Sequence, residues 1–104
     1  MQRTPEPQEL MDDRAQAHAY AAANFSEANN LFIRLLHQVR PGPLRGRALD
    51  LGCGPGDIPL ALLRQHPDLQ VDAVDGAPAM LDIARERAHA DPVLARRLQL
   101  RCEL

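Results

Sequence analysis

Apolar positions along the chain follow a helical period first and a strand period later. From Leu10 to Ala23 the residues are strong helix formers, many of them alanine, and the run ends near Asn24. Ser26 can cap a second helix, in which Phe32, Leu35, Leu36 and Val39 recur at helical spacing until "PGP" at 41 to 43 stops it. Ala48 to Leu51 is a short apolar run of the kind a buried strand shows. Asp57 to Gln65 then reads as a helix, with Pro59 in its first turn and Pro67 past its end. Gln70 to Asp75, "QVDAVD", is a second strand; Gly76 makes the turn after it, and Pro78 opens a helix carrying Met80, Leu81, Ala84 and Ala88 on one face. Asp91 and Pro92 start one more short helical segment. Leu98, Leu100, Cys102 and Leu104 alternate with polar residues, which predicts a half-buried third strand running to the last residue.

Two helices followed by strand, helix, strand, helix, strand predict an α/β fold: the first βαβαβ half of a Rossmann-like, doubly wound parallel sheet. Residues 1–9, with two prolines, read as a flexible tail, 10–43 as the N-terminal helices and 44–104 as the α/β unit. Right-handed crossovers from strand one to two and from two to three advance in the same direction, so both helices should cover one face of the sheet. The other face and the open edge of "RALDL" are left bare. Such a unit is a truncated piece of a longer protein, or assembles with another chain, or places its N-terminal helices unusually; truncation in or after the third strand is the favoured expectation, with self-association through that edge and face when alone.

Composition narrows the function. The 104 residues are 45% hydrophobic and 25% charged, ordinary for a soluble globular domain, and roughly two thirds of the unfolded surface of so short a chain can be buried. All 12 basic residues are arginines, they are scattered, and the net charge is −2, so nucleic acid is not indicated as the main ligand. Tyr20, Phe25 and Phe32 are too few to stack exposed bases. Cys53 and Cys102 match no metal or redox spacing and suit small thiols in a reducing cytoplasm. His18, His37, His66 and His89 lack partners at ligand spacing and read as solvated side chains, so no metal is expected. No run reaches the roughly 20 apolar residues of a membrane span, and the acidic N-terminus does not suit a signal peptide.

The chemistry concentrates in "LDLGCGPGD", Leu49 to Asp57. Glycines between a strand and a helix let a ligand lie against the backbone, where the following helix amides also point. A dinucleotide fingerprint would place a third glycine where Asp57 stands. Asp50 and Asp57 would set two carboxylates beside a pyrophosphate, and like charges ~4 Å apart repel by ~1 kcal/mol even in bulk water. A pyrophosphate is disfavoured there, and a cationic ligand is not. Asp75 ends the second strand, 19 residues after Gly56, near the spacing at which an acid accepts ribose hydroxyls. A ligand with a ribose at one end and positive charge at the other satisfies all three carboxylates.

"LDLGCGPG" followed by "VDAVDGAPAMLDIA" resembles motif I and the post-I motif of class I S-adenosylmethionine-dependent methyltransferases, over about residues 44 to 90. The resemblance implies that residues 44–104 are the cofactor-binding half of a methyltransferase domain. It implies that Asp50, Gly52, Cys53 and Gly54 line the loop side of an S-adenosyl-L-methionine pocket, that Asp75 holds the ribose, and that Gly76 and Met80 lie against the adenine. Ala77 departs from the family, which commonly has a capping Ser there; losing such a cap costs ~1 kcal/mol. "AHAYAAANFSEAN" is similar to N-terminal helices that fold over the cofactor in some members, so Tyr20 or Phe25 could close the pocket, although core packing is the expected role of both. Methyl transfer from a sulfonium needs mainly proximity and alignment. The motifs name neither catalytic residues nor the methyl acceptor. Two other readings stand beside this one: a nicotinamide-dependent oxidoreductase on the same half-sheet, and a non-catalytic module that keeps the turn without the acceptor half.

Overall fold

The computed structural model describes residues 13–23 and 25–103; the expected tail, the start of the first helix at Leu10, Asn24 and Leu104 lie outside them. The elements are α1 (Arg14–Ala22), α2 (Ser26–Val39), β1 (Gly46–Leu51), α3 (Asp57–Gln65), β2 (Leu69–Asp75), α4 (Pro78–His89), α5 (Pro92–Ala95) and β3 (Leu98–Cys102). The expected order holds throughout. Local signals account for the ends: the Asp91 carboxylate accepts from the amides of Val93 and Leu94 (3.1 and 3.4 Å), and Asp13 caps α1 through the amide of Gln16 at 3.0 Å. One cap differs. Ser26 is the first helical residue of α2, and the cap position falls to Phe25, which has no polar side chain to offer.

The three strands form one parallel sheet in the order β1-β2-β3, with Ala48 opposite Val71, Asp50 opposite Ala73 and Asp75 opposite Cys102. Paired residues of parallel strands point to the same face, so Ala48, Asp50, Val71 and Ala73 share one face and Leu49, Leu51 and Val74 the other. The first face carries the core: Leu69, Val71 and Ala73 pack with Leu60, Leu62 and Leu63 of α3, Leu81 and Ala88 of α4 and Leu94. On the second face Leu49 and Leu51 remain 64% and 72% exposed. As the crossover handedness requires, only one face is covered, and β1 is an edge strand.

The apolar stripe of α2 corrects a simple inward reading. Ile33 is buried and Leu36 half-buried, whereas Phe32, Leu35 and Val39 are exposed, because α2 meets the core along a narrow line on α3 rather than across a broad face. A groove of about 390 Å³ runs between α2, α3 and the free edge of β1, lined among others by Phe32, Leu36, Leu44, Leu49 and Ile58.

A second correction concerns the histidines. His18 and His89 are exposed as expected, but His66 is only 6% exposed and its Nε2 lies 2.9 Å from Nε2 of half-buried His37. The amide of Leu44 donates to His66 Nδ1 at 3.0 Å. That bond fixes the neutral tautomer: the proton sits on Nε2 and is donated to His37. Arg97 donates to the carbonyls of Leu63 (2.9 Å), Leu69 (3.0 Å) and His66, tying the end of α3 to the turn before β3.

Burial, then the neighbouring His37, lowers the pKa of His66 below its ordinary 6.5. The unfolded chain therefore takes up this proton at a higher pH than the folded one. The stabilisation is complete above about pH 6.5 and is lost as the pH falls below it, at a slope of up to ~1.4 kcal/mol per pH unit. Denaturant melts from pH 7.5 to 5.5 should show that slope in the wild type. His66→Asn keeps an acceptor for Leu44 without titrating, and it should flatten the slope; equal slopes in both proteins would contradict the assignment.

Candidate functional site

The glycine stretch leaves β1 and folds across the end of β2. The amides of Gly52 and Cys53 both donate to the carbonyl of Val74 (2.7 and 2.9 Å), and the amide of Gly56 closes the turn on the Cys53 carbonyl at 3.1 Å. Asp75 then joins the two connections. One of its oxygens accepts from the amide of Gly54 at 2.8 Å and the other from the amide of Ala77 at 2.9 Å. The second bond fixes the turn that leads into α4, while Ala77 at the cap position has no side-chain acceptor for the first turn.

Two glycines have different duties. Gly52 takes φ +76°, and a Cβ placed on it would meet nothing within 4 Å, so its side of the loop is open. Gly56 takes φ +90°, and a Cβ there would stand 3.2 Å from the Cβ of Ala84 on α4. Gly52 leaves room for a ligand; Gly56 lets a helix in. The close helix approach that a dinucleotide fingerprint assigns to its third glycine is thus met one residue before Asp57.

Asp50, the next-to-last residue of β1, is half-buried, with no hydrogen-bond or ion-pair partner among the described residues. Burial raises its pKa, and the charge of Asp75 adds to the rise. The thiol of buried Cys53 is pushed up to about 12 by burial first, then by Asp75 and Asp50. Those mutual effects place the two acids and the thiol in one negative field. Less than about one part in a thousand of Cys53 is thiolate at pH 8, so it is a poor nucleophile. Iodoacetamide at pH 8 should accordingly modify exposed Cys102 and spare Cys53 in the native chain, with peptide mass mapping as the readout; prompt labelling of Cys53 would mean the loop is open.

Asp57 does not join that field. Its carboxylate pairs with Arg87 of α4 at 2.8 Å, which turns it away from Asp50 and Asp75. The expectation that one ligand satisfies three carboxylates is therefore corrected to two, and Asp57 carries no weight against a pyrophosphate. Met80 is 3% exposed and packs with Ala17, Ala77, Ala79 and Ile83 beneath α1. Gly76 follows Asp75 in a half-buried bend, its carbonyl 3.9 Å from Cys102 Sγ.

Tyr20 and Phe25 are not core residues. They are 36% and 39% exposed and stack with ring centroids 5.0 Å apart, and Tyr20 Cε1 lies 3.9 Å from where a Cβ on Gly54 would stand. An aromatic pair thus walls one side of the glycine loop. Sequence reading missed the contribution of Arg87, since nothing in "ARERAH" tells Arg87 from Arg85 or signals a partner some thirty positions away.

Residues 48–103 match the family described as "Methyltransferase domain". Trans-aconitate 2-methyltransferase of Rhodococcus jostii is 43% identical over 56 residues, covering 54% of this chain and 22% of that protein. The chain spans about a fifth of the length of the curated relatives it matches. A putative S-adenosyl-L-methionine-dependent methyltransferase of Methanococcus maripaludis shares the fold with a TM-score of 0.74 at 24% identity, over 100% of this chain and 46% of that one. Phosphoethanolamine N-methyltransferase 2 of Haemonchus contortus, solved in complex with S-adenosyl-L-methionine, gives a TM-score of 0.71 at 24% identity over 96% and 25%. Neither the nicotinamide alternative nor the non-catalytic module draws support from these matches.

Proposed function

This chain belongs to the methyltransferase domain family, and on that premise we propose that it is the S-adenosyl-L-methionine-binding portion of a methyltransferase acting by direct displacement. The observation that carries the reading is the pair Asp50 and Asp75 beside the open side of Gly52. The ionised form of Asp50, disfavoured by burial and by the charge of Asp75, is relieved by a cation. Asp75 has spent one acceptor site on each oxygen, on Gly54 and Ala77, and a carboxylate has about four, so two remain for a diol.

The residues of this chain divide the binding. Asp75 takes the ribose hydroxyls while anchoring the loop. Gly52 and Gly54 present bare backbone, Asp50 offers its charge to the positive end of the ligand, and uncharged Cys53 lines the turn without competing as a nucleophile. Gly76 borders the adenine, and Met80 supports that wall from inside α4. When bound, the cofactor supplies a methyl group on a sulfonium, an already activated leaving group. What the protein adds is alignment with the acceptor, worth up to about 7–11 kcal/mol in such reactions.

Titration calorimetry of S-adenosylhomocysteine into the folded protein tests the reading. A measurable heat with one site is expected; no binding together with intact circular dichroism would overturn it. We place the protein in the cytoplasm, on its two free cysteines; among the described residues no helix is long and apolar enough to cross a membrane. Exposed Phe32, Leu35, Val39, Leu49 and Leu51 around an unpaired strand edge are expected to make this chain self-associate. Light scattering should show mass rising with concentration, and a constant monomer mass would contradict it.

A further inference from the structure

Helix α1 is an arm with little to hold it. Its residues are mostly alanine, which bury little surface, and of the described ones only Ala17 is fully covered, against Ala77, Ala79, Met80 and Ile83. Yet the arm carries Tyr20, which walls the glycine loop. Arg87 supplies the missing attachment. Its Nη2 donates to the carbonyl of Ala21 at 3.1 Å, while Nη1 donates to the carbonyl of Pro55 at 3.1 Å and to Asp57 Oδ1 at 2.8 Å. Ala21 lies in the last turn of α1, where carbonyls have no intrahelical partner and where a cation meets the negative end of the helix dipole. Pro55 sits inside the glycine stretch, and Asp57 opens α3. A planar, forked guanidinium holds acceptors on separate segments in a fixed geometry, which the compact ammonium of a lysine on its flexible stem does not impose.

We propose that Arg87 is a positioning residue whose guanidinium latches the end of α1 to the glycine loop and so holds Tyr20 as a wall of the ligand site. Breaking the latch frees the arm and unpairs Asp57 but removes no contact of Asp50 or Asp75. Ligand then dissociates faster, because the wall no longer excludes water from one side of the cleft. The binding part of this inference rests on the reading of the site given above; the arm itself does not.

Tyr20 is the only tyrosine and the chain has no tryptophan, so intrinsic fluorescence reports the arm alone. In Arg87→Met, which keeps the aliphatic stem, acrylamide quenching of Tyr20 should rise about twofold as a half-covered ring becomes free. The dissociation constant for S-adenosylhomocysteine should rise about tenfold, as expected for the loss of one charge-assisted contact. Arg85→Ala, on the same helix and paired only with Asp82, should change neither. Unchanged quenching in a folded Arg87→Met overturns the latch. Increased quenching in a protein that never bound S-adenosylhomocysteine leaves the latch standing and sinks the cofactor reading instead. Should Arg87→Met fail to fold, Arg87→Lys decides, since a folded lysine variant with wild-type quenching overturns the latch equally.

Discussion

Asp75→Ala is expected to weaken S-adenosylhomocysteine binding by at least about 100-fold and to lower folding stability by about 2–4 kcal/mol. Both effects come from one carboxylate with two employers. Inside the protein it accepts the amides of Gly54 and Ala77, and charged acceptors of this kind contribute about 1.5–3 kcal/mol each, partly recovered when water reaches the bared amides. Towards the ligand, the proposed ribose contacts fall on its two remaining acceptor sites. Asp75→Asn separates the roles. The amide oxygen can still take one backbone donor, while the NH₂ group confronts the other, so stability should fall by about half as much as in the alanine variant. Calorimetry and denaturant melts on the three proteins read out both quantities. Wild-type affinity in a folded Asp75→Ala would remove Asp75 from the site.

The second large effect contrasts two glycines of the same loop. Gly56→Ala forces a side chain into positive φ and sets a methyl 3.2 Å from the Ala84 Cβ, so α4 must move or the loop must change. Strain and overpacking together should cost about 2–4 kcal/mol. Gly52→Ala meets open space, and its cost should be confined to the backbone term of about 1 kcal/mol. Its methyl group, however, occupies the approach left free for the ligand, and affinity should drop by about tenfold or more while the melt barely changes. Gly56→Ala should show the reverse, a large loss in the melt with affinity retained in the fraction that folds. If both variants lost stability equally and affinity equally, the two glycines would share one role and the division drawn here would fail.

Much of this was legible in the residues because local rules decide it. Proline positions, the Asp91 cap, the alternation of β3 and the glycines after "LDL" each act within a few residues, and the elements follow them closely. Handedness of the crossovers foretold the bare face that Leu49 and Leu51 now show. What could not be read depends on pairs distant in the chain. Asp57 looked like a ligand group because its partner, Arg87, stands 30 residues later; His66 looked solvated because His37 and the Leu44 amide come from elements on its far N-terminal side. Met80 fell on the face of α4 that α1 covers, a docking no helical period could specify. Tyr20 and Phe25 stayed half-exposed for the complementary reason: they pack on each other and on a loop, not on the sheet.

Among the described residues β2 alone is a strand bonded on both sides, and its Leu69, Val71 and Ala73 are at most 2% exposed. Amides of such a strand exchange with solvent deuterium only when the whole molecule opens, whereas the flanking turn and α1 can open by smaller fluctuations. Asp75, the acid proposed to hold the ribose, ends the strand expected to exchange most slowly, and the groups around it lie on segments expected to exchange faster. Recognition can then be gated by breathing of the surroundings while the anchor keeps its position until the fold itself is lost.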